Sequence, residues 1–309
     1  MTTLISLSSS FAHHLPLLHS RSIIPSHHLT LTLTLTPTST HHLFSLHFSS
    51  PNRAAFVFHQ PYKCRALAAG HLLQDAGATA AVLAGAYGLV LSFDNLTQRD
   101  IIPQSLSRKL VHIISGLLFV LSWPIFSTST EARYFASLVP LVNCLRLVVH
   151  GLSLVKDEGL VNSVTREGKP EELLRGPLYY VLMLMLGAVV FWRESPIGLV
   201  SLGMMCAGDG VADIVGRRFG SVKIFYNPKK SWVGSISMFI SGFLVSAGML
   251  YYYSVLGYFQ LDWVSSMQRV ALVCLVATLV ESLPTTDLVD DNISVPLSTM
   301  LAAYMSFGY

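Results

Sequence analysis

From residue 77 onward the chain alternates apolar windows with short polar stretches. The windows fall near 77–93, 110–126, 134–152, 177–193, 197–208, 232–256, 269–283 and 293–309. A hydrocarbon core takes about 20 apolar residues per helical crossing, and every backbone polar group inside it must be satisfied within the segment. The fold class expected is all-α: a polytopic integral membrane protein with seven to eight transmembrane helices. The range reflects the fifth window, which is short for a crossing unless it continues into the polar stretch that follows. Composition agrees, because 52% of the 309 residues are hydrophobic and 12% are charged, whereas a soluble domain carries about 25% charged residues.

With eight crossings, the loops 94–109, 153–176, 209–231 and 284–292 share one face. Twelve Lys or Arg lie in them, against Arg133, Arg193 and Arg269 on the opposite face. That asymmetry places the four loops on the stromal or cytosolic side. The net charge of +3 does not indicate nucleic acid. Residues 1–74 carry four basic side chains and no acid, which leaves 16 basic against 17 acidic in the rest.

The first 50 residues hold 19 Ser or Thr, and the first carboxylate is Asp75. A hydroxyl-rich segment without acids, lacking an apolar stretch long enough for a secretory signal, reads as an organelle transit peptide. Few Arg and many Ser and Thr favour a plastid. The expected organisation is a cleaved, disordered leader over 1–65 and a transmembrane catalytic domain over 66–309. The alternating run from His28 to Thr36 is low-complexity sequence. Cys64, Cys144, Cys206 and Cys274 show no metal-ligand spacing, so buried thiols are expected rather than a zinc site or disulfides.

The polar residues that read as chemical gather on the basic face. The densest group runs from Gly208 through Asp209, Gly210, Asp213 and Gly216 to Gly220, followed by Lys229, Lys230, Ser231 and Gly234. Glycines let backbone approach an anion closely, and exposed N–H groups cradle phosphate oxygens. Asp209 and Asp213 are four apart and share a helical face, which suits Mg²⁺ held by two carboxylates and substrate phosphates. Lys229 and Lys230 supply point charges for a triphosphate, and Ser231 a hydroxyl. No Walker or dinucleotide glycine pattern is present.

Arg108 and Lys109 open an apolar window where cations meet phosphate; His112, one turn on, is expected to be a hydrogen-bonded structural residue. Arg146, near Asn143, is an intramembrane cation, so it is a functional candidate or a structural ion pair. The charge run Glu167, Lys169, Glu171, Glu172 and Arg175 reads equally as a solvated loop. Glu281, Asp287, Asp290, Asp291 and Asn292 bring acids to the last loop, for a metal contact or a general base. Adjacent residues point in different directions, so one of Asp290 and Asp291 at most reaches the metal, and the pattern does not choose between them.

Asp209, Ala212, Gly216, Gly220, an eight-residue gap, then Lys229-Lys230-Ser231 and Gly234 resemble the CTP-binding signature of the polyprenol kinase family, which includes dolichol kinases and the plant phytol and farnesol kinases. The likeness extends over about 105–309, through Arg108–His112, Asn143/Arg146, Arg166–Tyr180 and Glu281–Ser294. With the plastid-like leader, it implies a multi-pass chloroplast membrane enzyme. CTP with Mg²⁺ would phosphorylate a prenyl alcohol in the bilayer, phytol first, with the product feeding tocopherol synthesis. In that reading Asp209 and Asp213 hold the metal, Lys229 and Lys230 neutralise the phosphates, Arg108, Lys109 and Arg146 add charge at the nucleotide, and Asp290, Asp291 or Asp213 handles the hydroxyl proton. Competing readings are a farnesol or geranylgeraniol kinase, a CTP:phosphatidate cytidylyltransferase, and a non-enzymatic transporter.

Overall fold

The computed structural model describes residues 61–165, 167–284 and 290–308. Residues 1–60, most of the expected leader, lie outside the described residues, as do Arg166 and Asp287. Among those described, ten α-helices carry the fold, with one two-stranded hairpin. The helices are α1 (Pro61–Gln98), α2 (Gln104–Ser122), α3 (Ala132–Gly151), α4 (Glu158–Val164), α5 (Gly176–Val190), α6 (Pro196–Gly203), α7 (Gly210–Phe219), α8 (Trp232–Val255), α9 (Trp263–Ser282) and α10 (Asp291–Phe307). The hairpin pairs β1 (Lys223–Ile224) with β2 (Asn227–Ser231).

Seven helical spans among the described residues are long and apolar enough to cross a membrane. The 17-residue α10 occupies the last apolar window. The short fifth window does continue into the polar stretch: α6, a π-helical segment Met204–Asp209 and α7 form one span, Pro196–Phe219. In it 83% of the apolar window is buried, against 22–39% in the other six. That span is therefore the axis of the bundle, and the other helices turn apolar side chains such as Leu244, Leu272 and Leu301 outward to lipid.

Close helix approach explains the axial glycines. A Cβ on Gly242 of α8 would lie 2.1 Å from Met204 Sδ, and one on Gly210 would lie 2.3 Å from Ile113 Cγ1 of α2. Small residues let helix backbones meet where lipid offers no hydrophobic drive for association. At the face opposite the basic loops, Arg193 donates to the carbonyls of Trp123, Phe126 and Ser127, and its guanidinium lies over Tyr258 and Trp192. Asp75 accepts from the Ser127 N–H and hydroxyl beside it. This network closes the turn between α2 and α3 and is structural.

Two elements on the basic face depart from the open loops expected there. Asp157 caps α4 through the Leu160 N–H at 3.0 Å, which gives the 153–176 segment an ordered start. In the hairpin, Asn227 Nδ2 donates to the carbonyls of Ser282 and Leu283, and Tyr226 and Ser282 hydroxyls meet at 2.8 Å. These bonds tie β2 to the end of α9, and so carry Lys230 to Glu281.

Candidate active site

The site forms where the basic-face ends of α2, α7, α9 and α10 meet the hairpin. At its centre Lys109 Nζ donates to Asp209 Oδ2 at 2.9 Å, and both residues are buried, at 7% and 6% exposure. Asp209 closes the π-helical segment. The wider π turn presents the Met205 carbonyl to His112 Nε2 at 2.9 Å. His112 thus uses Nε2 on the backbone, and its ring lies against Tyr180 with centroids 4.0 Å apart. Tyr180 in turn donates its hydroxyl to the His112 carbonyl. His112 is the structural residue the sequence leads one to expect.

Asp213, one turn beyond Asp209, faces cations. Its Oδ1 accepts from Arg217 Nε at 2.9 Å, and its Oδ2 lies 3.8 Å from both Lys109 and Arg108. Asp209 and Asp213, expected as a metal-binding pair, both approach Lys109, at 2.9 and 3.8 Å. The carboxylates that do converge are Asp209, Glu281 and Asp291, whose ligand oxygens lie within 4.8 Å of one another. Glu281 Oε2 and Asp291 Oδ1 are buried without a hydrogen-bond partner. A hard divalent cation takes oxygen ligands of this kind, so the residues present fit Mg²⁺.

Lys230 sits against the same acids, bonded to Glu281 and, at 2.7 Å, to Asp291. Burial pushes its ammonium pKa down, but the two carboxylates outweigh that and hold it above the ordinary lysine value. Asp290 does different work. It is the N-cap of α10, its Oδ1 accepting from the Asn292 N–H at 2.8 Å and from the Asn292 amide. The geometry therefore separates the adjacent acids: Asp291 reaches the cluster, and Asp290 holds the helix start.

The glycine-rich stretch is not an open phosphate-binding loop. Gly208 lies in the π-helical segment and Gly210 and Gly216 in α7, while the Gly220 N–H donates to the Gly216 carbonyl and the Gly234 N–H to Ser231 Oγ. Their amides are engaged, which corrects the expectation of a cradle. Gly216, Gly220 and Gly234 pack around Ser231, the N-cap of α8. Added Cβ atoms on Gly216, Gly220 and Gly234 would lie 3.2, 2.3 and 3.1 Å from Ser231 Oγ. Three glycines thus leave room for one capping hydroxyl where α7, the hairpin and α8 meet.

A cavity of about 1220 Å³ opens over this centre. Its polar end holds Arg108, Lys109, Asp209, Asp213, Arg217, Lys223, Lys229 and Lys230, with Glu281, Asp290 and Asp291. Lys229, exposed at the rim, is a cation available to a ligand there. Arg146 lines the cavity while paired with Asp157 at 2.7 Å, so the structural ion pair and the lining position coincide. Burial raises the Asp157 pKa, but the Leu160 N–H and Arg146 hold it below the usual carboxylate range. Of the charge run, Glu167, Glu172 and Arg175 line the cavity, and Glu167 is also paired with Lys169, which stays in solvent.

Glu281 is a member of the cluster that the sequence offers only as one of several last-loop acids for a metal contact or a base. Its signal was present: it is a carboxylate at the end of an apolar window, and acids at membrane depth mark function by default. It lies 4% exposed at the last turn of α9.

Neither a protein-family model nor a solved structure matches the chain. Curated relatives do. Phytol kinase 1, chloroplastic, of Arabidopsis thaliana is 69% identical over 244 residues, covering 79% of this chain and 80% of the relative. Probable phytol kinase 1, chloroplastic, of Glycine max is 70% identical over 238 residues, 77% and 79% of the two chains. The rice protein (Oryza sativa subsp. japonica) described as probable phytol kinase 1, chloroplastic, is 65% identical over 237 residues, 77% and 76%. With that identity across three-quarters of its length and a bundle of membrane-length helices, the chain belongs to the phytol kinase family of multi-pass chloroplast membrane proteins.

Proposed function

We propose that this protein transfers the γ-phosphoryl group of CTP to the hydroxyl of a prenyl alcohol, with phytol as the substrate and phytyl phosphate as the product. The observation that carries this reading is a cavity whose polar end gathers lysines, arginines and carboxylates and whose other end, lined by α1, α3 and α5, is mainly apolar while including Asn143 and Arg146. A nucleotide triphosphate fits the first end chemically, and a lipid alcohol fits the second. The names of the relatives supply the alcohol. The choice of CTP rests on the resemblance of the Asp209-to-Gly234 spacing to the polyprenol kinase signature.

Phosphoryl transfer needs mainly positioning and charge neutralisation, with the acceptor oxygen in line with the leaving group. Lys229, Lys223 and Arg108 neutralise the triphosphate at the cavity rim. Lys109 fixes Asp209, and Lys230 fixes Glu281 and Asp291, so the three carboxylates are preorganised. Mg²⁺ held by Asp209, Glu281 and Asp291 supplies further positive charge at the phosphates when bound. Asp213 orients the alcohol hydroxyl through Oδ2, which is buried and has no hydrogen-bond partner. As the alcohol oxygen bonds to the γ-phosphorus, the bond to the β,γ-bridging oxygen breaks and CDP leaves, while the alcohol proton passes to that carboxylate. The product then enters tocopherol synthesis from salvaged phytol.

The test uses membranes from cells expressing residues 66–309, supplied with γ-labelled CTP and Mg²⁺. Phytol, geranylgeraniol, farnesol and phosphatidic acid are given in separate tubes. Label in phytyl monophosphate is the expected result. Pyrophosphate release with phosphatidic acid and no labelled alcohol would replace the kinase with a cytidylyltransferase.

A further inference from the structure

We propose that the apolar arm of the cavity, walled by α1, α3 and α5, holds the prenyl chain, and that it opens sideways to lipid between α1 and α3 at Tyr87 and Val142. The proposal deepens the alcohol-kinase reading and rests on it for the identity of the ligand.

Four cavity-lining residues of α1 are Leu83, Ala86, Tyr87 and Val90. They stand at i, i+3, i+4 and i+7, which is one face of a helix. Leu147 of α3 and Val181 of α5 also line the arm and are buried. At 1.5 Å per residue, Leu83 lies about 20 Å along α1 from Gln98 at the basic face, so the arm runs deep into the bilayer region. A pocket for one small ligand measures about 300–1,000 Å³. The cavity here, at about 1220 Å³, exceeds that range and has chemically opposite ends, as two substrates of opposite polarity require.

The opening is read from exposure. Tyr87 and Val142 line the cavity, yet they are 54% and 45% exposed on membrane-length spans. A side chain that is both cavity wall and membrane surface marks the place where the two join. Across that place the Arg146 guanidinium lies over the Tyr87 ring, 5.3 Å from its centroid, while Asp157 holds its other side. The pair bridges α1 and α3 at the lip of the opening, and Arg146 sits where the polar and apolar parts of the cavity meet.

A prenyl chain arriving from lipid leaves one apolar medium for another, so its burial brings little hydrophobic affinity. Discrimination must then come from the shape of the arm. Narrowing it should penalise long chains and spare short ones.

Two measurements test this. Ala86→Phe and Leu147→Phe are each assayed with ten-, fifteen- and twenty-carbon prenyl alcohols. KM for the twenty-carbon alcohol should rise about tenfold or more while the ten-carbon alcohol and CTP change little. A uniform loss across chain lengths with KM for CTP unchanged would overturn the assignment. Because a variant can misfold, the unmodified protein in membranes is also irradiated with a phytol analogue bearing a diazirine at the chain terminus. Cross-links should map to α1 and α3; cross-links confined to α8 and α9 would place the chain elsewhere. If no alcohol is phosphorylated by the unmodified protein, the kinase reading fails, whereas labelling of α1 and α3 still reports on the arm.

Discussion

Lys109 and Asp209, a hundred positions apart in sequence, meet as a buried ion pair with Nζ and Oδ2 separated by 2.9 Å. Two charges below 10% exposure are stable only together, because each alone would carry a desolvation penalty with no partner. The pair fixes α2 against the central span at the point where that span turns from π to α geometry. It thereby sets the direction of Asp209 toward Glu281 and Asp291.

Lys109→Met should therefore do two things. It should abolish turnover, and it should destabilise the detergent-solubilised protein by about 3–5 kcal/mol, since Asp209 is left buried and unpaired. Adding Asp209→Asn to the same chain should restore much of the stability and none of the activity. Thermal unfolding of the single and double variants, read beside the CTP assay, distinguishes the roles. Equal stability in the single and double variants would show that the pair is not the coupling described.

Glu281→Gln should weaken divalent-ion affinity about tenfold or more by removing a charged oxygen from the three-carboxylate cluster. Mn²⁺ binding followed by electron paramagnetic resonance reads this without turnover. Asp213→Asn should leave Mn²⁺ binding near that of the unmodified protein while slowing the phosphoryl step. If Asp213→Asn also abolished Mn²⁺ binding, the original pairing of Asp209 with Asp213 would be restored.

The crossings were legible because window length is imposed by the bilayer, and the continuation of the short fifth window was open in the sequence. The site was legible only in its residue types. Gly208, Gly210 and Gly216 read as an anion loop, since glycines near acids and lysines carry the same letters whether their amides are free or their missing side chains admit a neighbouring helix. Only partners such as Ile113 for Gly210 and Ser231 for Gly216 decide, and those contacts are not encoded in local spacing. Glu281 joined the metal set by the same route. Its approach to Lys230 goes with Asn227 and Tyr226 pinning the hairpin to the end of α9, a contact between segments more than fifty residues apart. The helix α4 escaped notice because its seven residues are too few for periodicity to register.

Asp290 and Asp291 should separate cleanly on substitution. Asp290→Asn keeps a good N-cap residue and should retain most activity; Asp290→Ala should cost about 1 kcal/mol of stability. Asp291→Asn removes the carboxylate that meets Lys230 and the metal-compatible cluster, and activity should fall at least about a hundredfold. The readout is turnover at saturating CTP and Mg²⁺ in membranes with matched protein levels. The reverse ranking would assign the proton or metal contact to Asp290.

Gly210→Ala tests whether the motif glycines act through packing. The new Cβ would sit 2.3 Å from Ile113 Cγ1 and 2.8 Å from its Cδ1, far inside van der Waals contact. Overpacking of this kind destabilises by about 1–3 kcal/mol. The clash is with one side chain rather than backbone, so it has a specific remedy. Ile113→Ala deletes both atoms, and the Gly210→Ala/Ile113→Ala double variant should be more stable than Gly210→Ala alone. If Gly210 instead served a phosphate through its backbone, the second substitution would not rescue turnover, because the new methyl group would obstruct the backbone amide at this position as before. Melting temperature and KM for CTP, measured on the two single variants and the double, decide between packing and phosphate contact at this position.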